Sequence, residues 1–469
     1  MNVIWITSDT YRRDAMGAYG NPIIHTPSLD ALAASGTRFD RHYISAFPTM
    51  PTRADHATGR WTMSFMQWGP LGQEVTTLAQ LLAGAGLHTA AVVDTPFYQR
   101  NGMNYDRGFR TFFNIEGQTY GGEGRDIVSW WKTEADTHVA RTMTRAGEWL
   151  EGHYKEDFFL YVDTWDPHEP WNAPAYYTEL YRPDFDGQPS HPAYGRWQDL
   201  PGMTADDVKK GHATYMGEVT LVDTWVGHLL RKVANLGLAE KTAIIFTSDH
   251  GFYFGEHDGL FGKLTVAKRS DGSLSIAAPN AAAQRALGRS RGPEDVRGWG
   301  HSPLYEEVAG IPLLINVPGI DAGASQAVSS AIDVMPTVLD IFDQPIPDWV
   351  EGRSLLPAMR GDADAGREFV VSAQPFANPG SQTRAVDDQS RPVVAAQVTT
   401  ITTDKWSFLY SADPGMSELF HLESDPHQLT NVLAGHVDIA TELHGHLVRM
   451  MKDTNLPPHL MEPRLELRL

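Results

Sequence analysis

The stretch NVIWITSD, residues 2–9, decides the fold. Val3, Ile4, Trp5, Ile6 and Thr7 are β-branched or aromatic, with no charged residue between them. A short run of this kind predicts a strand buried on both faces, as at the centre of a parallel sheet. It stops at Ser8-Asp9, which leaves an acid just past the carboxyl end of the strand.

Working outward, the theme recurs. Residues 26–39, TPSLDALAASGTRF, predict a helix with Ser28 as N-cap and Gly36 past its end, then a strand. Residues 76–94, TTLAQLLAGAGLHTAAVVD, repeat helix, glycine stop and strand. Strands are predicted again within 157–168, 242–251 and 311–319. A helix is predicted over 217–236, where Val219, Leu221, Val222, Trp225, Val226 and Leu229 keep helical spacing. This alternation predicts an α/β fold: a large mixed, mostly parallel sheet sandwiched by helices. From about residue 361 the pattern changes. Residues 393–411 hold two extended runs around Thr403-Asp404, an antiparallel hairpin, and 439–453 read as a final helix. The expected division is a catalytic α/β domain over 1–364 and a smaller C-terminal α+β portion with an antiparallel sheet over 365–469. The small, polar stretch 264–300 is expected to be an inserted loop, a lid or an oligomer arm.

In such sheets ligands sit beyond the carboxyl ends of the strands. Asp9 follows the first strand and Asp94 follows AAVV. Asp163, Asp166 and His168 follow FFLYV, and Asp249 and His250 follow AIIFTS. These clusters read as one shared site rather than scattered caps.

Lys and Arg number 38 against 58 Asp and Glu, a net charge of −20 over 469 residues. That balance argues against holding nucleic acid by the overall field, and an anionic substrate needs local cations or a metal. With no cysteine, disulfides, thiolate metal sites and cysteine nucleophiles are excluded. No apolar run reaches membrane-spanning length, and the expectation is a cytoplasmic chain with no membrane partner.

Six segments, in order, resemble the sulfatase branch of the alkaline phosphatase superfamily nearly end to end. GNPIIHTPSLDALAASGTRF (20–39) is similar to that branch's TPN-LD-LA-GxxF segment. TMPTRADHATGR (49–60) resembles its nucleophile motif, Cys/Ser-x-Pro-Ser-Arg followed by Thr-Gly-Arg. DPHEPW (166–171) resembles its Pro-His-x-Pro loop, and TSDHGFYFGEHDGLFGK (247–263) its metal segment. LYEEVAGIPLLINVPG (304–319) and SELFHLESDPHQLTNV (417–432) resemble later signatures.

The resemblance implies a divalent cation held by Asp9, Thr49, Asp249 and His250. Thr10 stands where the branch usually has a second acid, so it is a weak ligand or none. Oxygen ligands plus one imidazole suit Ca²⁺, Mn²⁺, Mg²⁺ or Zn²⁺ without choosing among them. Arg53 would lie beside the nucleophile if a helix begins near Pro51. Asp163, His168 and His301, the last replacing the branch's lysine before YE, could hold a second ion. The alternative is that His168 and His301 hydrogen-bond substrate oxygens, one as general acid. Lys263 and His257 each read equally as an anion contact or as an ordinary loop residue. Asp94, Thr95 and Tyr98 occupy the strand end where the family's lysine and histidine contacts fall, an expected substrate wall.

Thr49 is the departure that matters. Sulfatases of the branch convert cysteine or serine at this position to formylglycine, and threonine is not expected to follow. A threonine hydroxyl can still attack directly. The resulting ester must be cleaved by water, a route that phosphorus accepts. The expectation is therefore a hydrolase of phosphate diesters or phosphonate monoesters with a covalent threonine intermediate. The alternatives are a sulfate ester hydrolase lacking formylglycine, and a non-catalytic binder of sulfated or phosphorylated ligands. The expected partners are a small anionic ester and, by analogy, further copies of the chain.

Overall fold

The computed structural model describes residues 1–97, 102–116, 131–190, 192, 194–200, 202–263, 302–362, 364–376, 398–412 and 414–469. Tyr98, His301 and the expected insert at 264–300 lie outside the described residues, apart from the short ladder Ala267–Lys268 with Leu274–Ser275.

Strand β1 (Asn2–Ser8) is buried at every position. It lies inside an eight-stranded sheet with β2 (Thr37–Phe39), β3 (His88–Val93), β4 (Thr111–Asn114), β5 (Phe158–Thr164), β6 (Thr242–Ser248), β7 (Leu313–Asn316) and β8 (Gly323–Ser325). The order across the sheet is β8-β2-β7-β6-β1-β5-β3-β4. β7 runs against both of its neighbours, while the other pairings are parallel. The sheet is thus mixed and mostly parallel, as expected.

Period-two alternation divides the strands between two faces. Val3, Trp5, Phe159, Tyr161, Ala243 and Ile245 face one apolar layer. Helices α2 (Thr49–Thr58), α3 (Leu78–Gly84) and α6 (Val334–Ile341) fill it with Met50, Ala54, Leu78, Leu82, Val334 and Val338. Ile4, Ile6, Leu160, Val162, Ile244 and Phe246 face the other layer. There α1 (Pro27–Ser35), α4 (His138–His153) and α5 (Ala205–Asn235) contribute Leu29, Val139, Met143, Ala146, Leu150, Val222 and Leu229.

Two helix starts differ from the sequence reading. α1 begins at Pro27 with Thr26 before it, so Ser28 lies inside the helix rather than at its cap. Proline is preorganised for the first helical position, and the Ser28 N–H donates to Asp223 at 3.0 Å. α5 starts well before residue 217, because Thr204 and Asp207 close a capping box there.

Four antiparallel strands follow: β9 (Val370–Ala373), β10 (Thr399–Thr402), β11 (Trp406–Tyr410) and β12 (Glu418–His421). The hairpin expected around Thr403-Asp404 joins β10 to β11. Helix α7 (Val437–Asp453) packs through Leu443, Leu447 and Met450. Ile401, Phe408 and Leu419 belong to the same apolar cluster as Ile4 and Ile6. The Phe47 N–H donates to the Ala373 carbonyl at 2.9 Å, which braces the segment leading to Thr49. Among the described residues, no helix is long and apolar enough to cross a membrane.

Candidate active site

Thr49 opens α2, with Pro48 as N-cap residue and no side-chain cap. The helix therefore starts two residues before Pro51. Asp55, one turn and a half further on, fixes how the chain enters and leaves this helix. Its carboxylate accepts from the Ala46 N–H at 2.7 Å, the Thr62 N–H at 2.9 Å and the hydroxyls of Ser45 and Thr62. Burial pushes Asp55 up to about 7 despite these donors. Thr49 is buried, and its Oγ1 lies 3.4 Å from His250 Nε2.

β1 and β6 are paired in register through Ser8 and Ser248, so Asp9 and Asp249 leave the sheet side by side. Thr10 then takes φ +61°, a costly conformation for a β-branched residue. That turn aims the Thr10 N–H at Asp249 Oδ1, 2.8 Å away. The His250 N–H donates to the same oxygen at 2.8 Å. Gly251 is required by close approach: a Cβ there would sit 1.8 Å from the Glu307 carbonyl oxygen.

Arg53 lies one helical turn after Thr49 on the same face and is almost fully buried. Its guanidinium spans three carboxylates. It meets Asp163 in a forked pair at 2.8 and 2.9 Å, Asp249 at 2.5 Å and Asp9 at 3.0 Å. Strand parity explains the fork. Asp163 shares a face with Phe159 and Tyr161, the face that α2 covers. The three acids hold Arg53 firmly in its charged form.

Three carboxylates against one guanidinium leave two negative charges, which one divalent ion would balance. Asp9, Asp249 and His250 each offer a donor atom within 4.8 Å of the others. Asp9 Oδ2 is buried and makes no hydrogen bond beside its 3.0 Å ion pair with Arg53. Burial first and Asp249 second push Asp9 up to about 7, an environment short of positive charge. His250 Nδ1 lies 3.0 Å from the Gly251 carbonyl, which assigns its proton there and leaves the Nε2 lone pair facing the acids. Burial first and Lys263 second lower the imidazole to about 3, so it is neutral at ordinary pH. These donors fit a divalent cation. Thr10 does not present as a ligand, since its hydroxyl donates to Asp9 Oδ1 at 2.7 Å and receives Lys263 Nζ at 3.3 Å.

Lys263 is buried at this site, which removes the reading of a solvent loop lysine. Its ammonium lies 3.8 Å from Glu169. Glu169, a residue the sequence reading passed over, also lies 3.3 Å from His168 Nδ1 and accepts from the Tyr194 hydroxyl. His168 stacks on Trp165 with ring centroids 3.7 Å apart, and its Nδ1 lies 2.6 Å from the Glu169 carbonyl. A buried carboxylate thus ties down both cationic candidates of the pocket.

Other expected contacts fall elsewhere. Among the described residues Asp163 does not present as a ligand for a second ion, because its oxygens are taken by Arg53, by the Tyr161 hydroxyl at 2.7 Å and by Thr95 Oγ1 at 2.5 Å; His301, the third residue of that expected site, lies outside them. Thr95 accordingly supports Asp163 rather than facing substrate. Asp94 is a brace, not a substrate wall. It accepts from Thr142 on α4 at 2.8 Å, from Thr164 at 3.0 Å and from the Trp165 N–H. His257 turns to Glu307 at 2.8 Å and stacks on Tyr305, away from the anion-contact role. Asp94→Ala is expected to destabilise the fold by about 3 kcal/mol, since it strands buried donors. Denaturant unfolding checks this, and a change under about 1 kcal/mol would remove the bracing role.

An acid pair and an imidazole lie at the ends of adjacent parallel strands, set against a hydroxyl at a helix N-terminus, in a chain whose family match and relatives place it in the alkaline phosphatase superfamily. Within it, the chain belongs to the sulfatase family, whose model matches residues 1–344. A model described as N-sulphoglucosamine sulphohydrolase, C-terminal, matches residues 298–453. An ulvan-active sulfatase of Formosa agariphila is 26% identical over 462 residues, covering 92% of this chain and 77% of that protein. A multifunctional alkaline phosphatase superfamily protein of Trinickia caryophylli is 26% identical over 521 residues, covering 92% and 91%. The phosphonate monoester hydrolase of Silicibacter pomeroyi superposes with a TM-score of 0.73 at 22% identity, covering 98% of this chain and 96% of that one.

Proposed function

We propose that the chain is a metal-dependent hydrolase of phosphate diesters or phosphonate monoesters that uses Thr49 as nucleophile. One observation supports the reading: the Thr49 hydroxyl, first in α2, lies 3.4 Å from His250 Nε2, beside the cluster of Asp9, Asp249 and His250 that Arg53 joins. Threonine has no route to the aldehyde that sulfate ester cleavage in this family uses, but it can form and release a phosphoryl ester.

Thr49 Oγ releases its proton to solvent and bonds to phosphorus while the ester P–O bond breaks. The departing oxygen takes a proton from His168, whose Nδ1 is held by the Glu169 carbonyl. Water then attacks phosphorus and returns a proton to His168, the Thr49–phosphorus bond breaks, and Oγ takes a proton back from solvent. Arg53 and the first N–H groups of α2 offset charge on the non-bridging oxygens, and Lys263 adds a further cation. Asp9, Asp249 and His250 would hold a divalent ion, which when bound would supply Lewis-acid chemistry to the threonine hydroxyl and the ester oxygens. A small anionic ester is the expected substrate.

A second reading is a sulfate ester hydrolase that works without formylglycine. It is favoured by the relatives, most of which are named sulfatases. Chelator-stripped protein assayed with added Mn²⁺, Zn²⁺, Ca²⁺ or Mg²⁺ separates the readings. We expect kcat/KM for a p-nitrophenyl phosphate diester or phenylphosphonate monoester to exceed that for p-nitrophenyl sulfate at least tenfold. Faster sulfate cleavage would favour the second reading. Binding of metal and ester with no cleavage would leave a non-catalytic binder.

A further inference from the structure

At the opposite end of the sheet, His88, His153 and Glu156 converge. His88 opens β3, His153 closes α4 and Glu156 precedes β5. The three elements are tied there by the backbone, since the His88 N–H donates to the Asp157 carbonyl at 3.0 Å. One donor atom from each of the three side chains lies within 4.8 Å of the other two. His88 Nδ1 is 2.5 Å from Glu156 Oε2. The two imidazoles stand edge to face with centroids 4.5 Å apart. Two imidazoles on one tetrahedral ion with bonds of about 2.0–2.1 Å have centroids about 5 Å apart, so the rings already lie near ligating separation.

The rings are also oriented. His153 Nδ1 lies 2.8 Å from the Trp149 carbonyl one helical turn back. A proton there leaves the Nε2 lone pair for an ion, the arrangement that metal-bound histidines use. Trp149 stacks on His153 at 4.3 Å and meets His88 edge-on at 5.5 Å, which limits the rotamers of both rings. The site is open enough for an ion to enter: the His88 side chain is 21% exposed and that of Glu156 47%.

We propose that His88, His153 and Glu156 form a binding site for a first-row transition ion such as Zn²⁺, separate from the catalytic cluster. Two neutral imidazoles and one carboxylate favour this class over Ca²⁺ or Mg²⁺, which take mainly oxygen ligands. The fourth position faces solvent. A bound ion would clamp the start of β3 to the end of α4 and the lead into β5.

Chelator-stripped full-length protein carrying His250→Ala, which weakens the catalytic cluster, isolates this site. Titrated with Zn²⁺ alone by calorimetry, it is expected to bind one equivalent and to gain thermal stability. Adding His88→Ala and His153→Ala should abolish that equivalent and the Tm gain. Glu156→Gln, a change at an exposed side chain that leaves the fold intact, should weaken Zn²⁺ binding at least tenfold. Hydrolysis by the parent chain should be unchanged by Glu156→Gln. The same Zn²⁺ stoichiometry and affinity in the His250→Ala protein with and without Glu156→Gln would overturn the proposal.

Discussion

Thr49→Ala is expected to lower kcat/KM for a phosphonate monoester by at least about 10⁴-fold, some 5–6 kcal/mol of transition-state stabilisation. The size follows from losing the attacking atom while keeping everything around it. Stability should barely change, because among the described residues Oγ1 has one hydrogen-bond partner, His250, at a long 3.4 Å. The backbone of α2 is held by Asp55 and by packing of Met50 and Ala54. Thr49→Ser keeps the oxygen and is expected to retain activity within about tenfold. Rates for Thr49→Ala within tenfold of the parent would remove threonine from the reaction. Loss of activity together with a large fall in Tm would instead mark it as a structural residue.

The second large effect belongs to Arg53→Met. This change leaves Asp9, Asp163 and Asp249 buried without their shared cation. Removing one partner from a buried ion pair costs about 3–5 kcal/mol. With an unfolding entropy of about 2.1 cal/mol/K per residue over 469 residues, that corresponds to a Tm about 3–5 °C lower. Adding Mn²⁺ or Zn²⁺ should restore part of the loss through Asp9 and Asp249, but not the part owed to Asp163. Arg53→Met with Asp163→Asn should therefore be more stable than Arg53→Met alone. Additive destabilisation in this cycle would show that the forked pair is not the main term. Turnover should fall in both variants, because both lack the Arg53 cation that we propose offsets charge on the phosphoryl oxygens.

The sheet was legible because burial on both faces leaves an unbroken apolar run, visible in residues 3–6 and 243–246. Asp9, Asp249 and His250 were legible for a related reason: chain polarity alone puts residues just past parallel strands at one end of the sheet. The same rule misplaced Asp94. It does lie at a strand end, but Thr142 and Thr164 consume its oxygens, and a threonine hydroxyl many residues away leaves no local pattern. Asp163 was read as a metal ligand because its type and position suit one. The parity that turns it toward Arg53 emerges only once α2 is known to cover that face. Glu169 escaped notice inside a motif where His168 drew the eye. Its role arises from Lys263 and Tyr194, which the fold brings in from elsewhere in the chain.

The position of β1 bears on how the chain is made. It is synthesised before both of the strands it pairs with, β5 ending at Thr164 and β6 ending at Ser248. At ribosomal rates of about 5–20 residues per second, roughly 10–50 s pass before β6 exists. Through this interval the edge of β1 that β6 will cover stays unpaired, so nascent chains should depend on holdase chaperones. Truncated products that stop short of residue 248 should accumulate in the insoluble fraction.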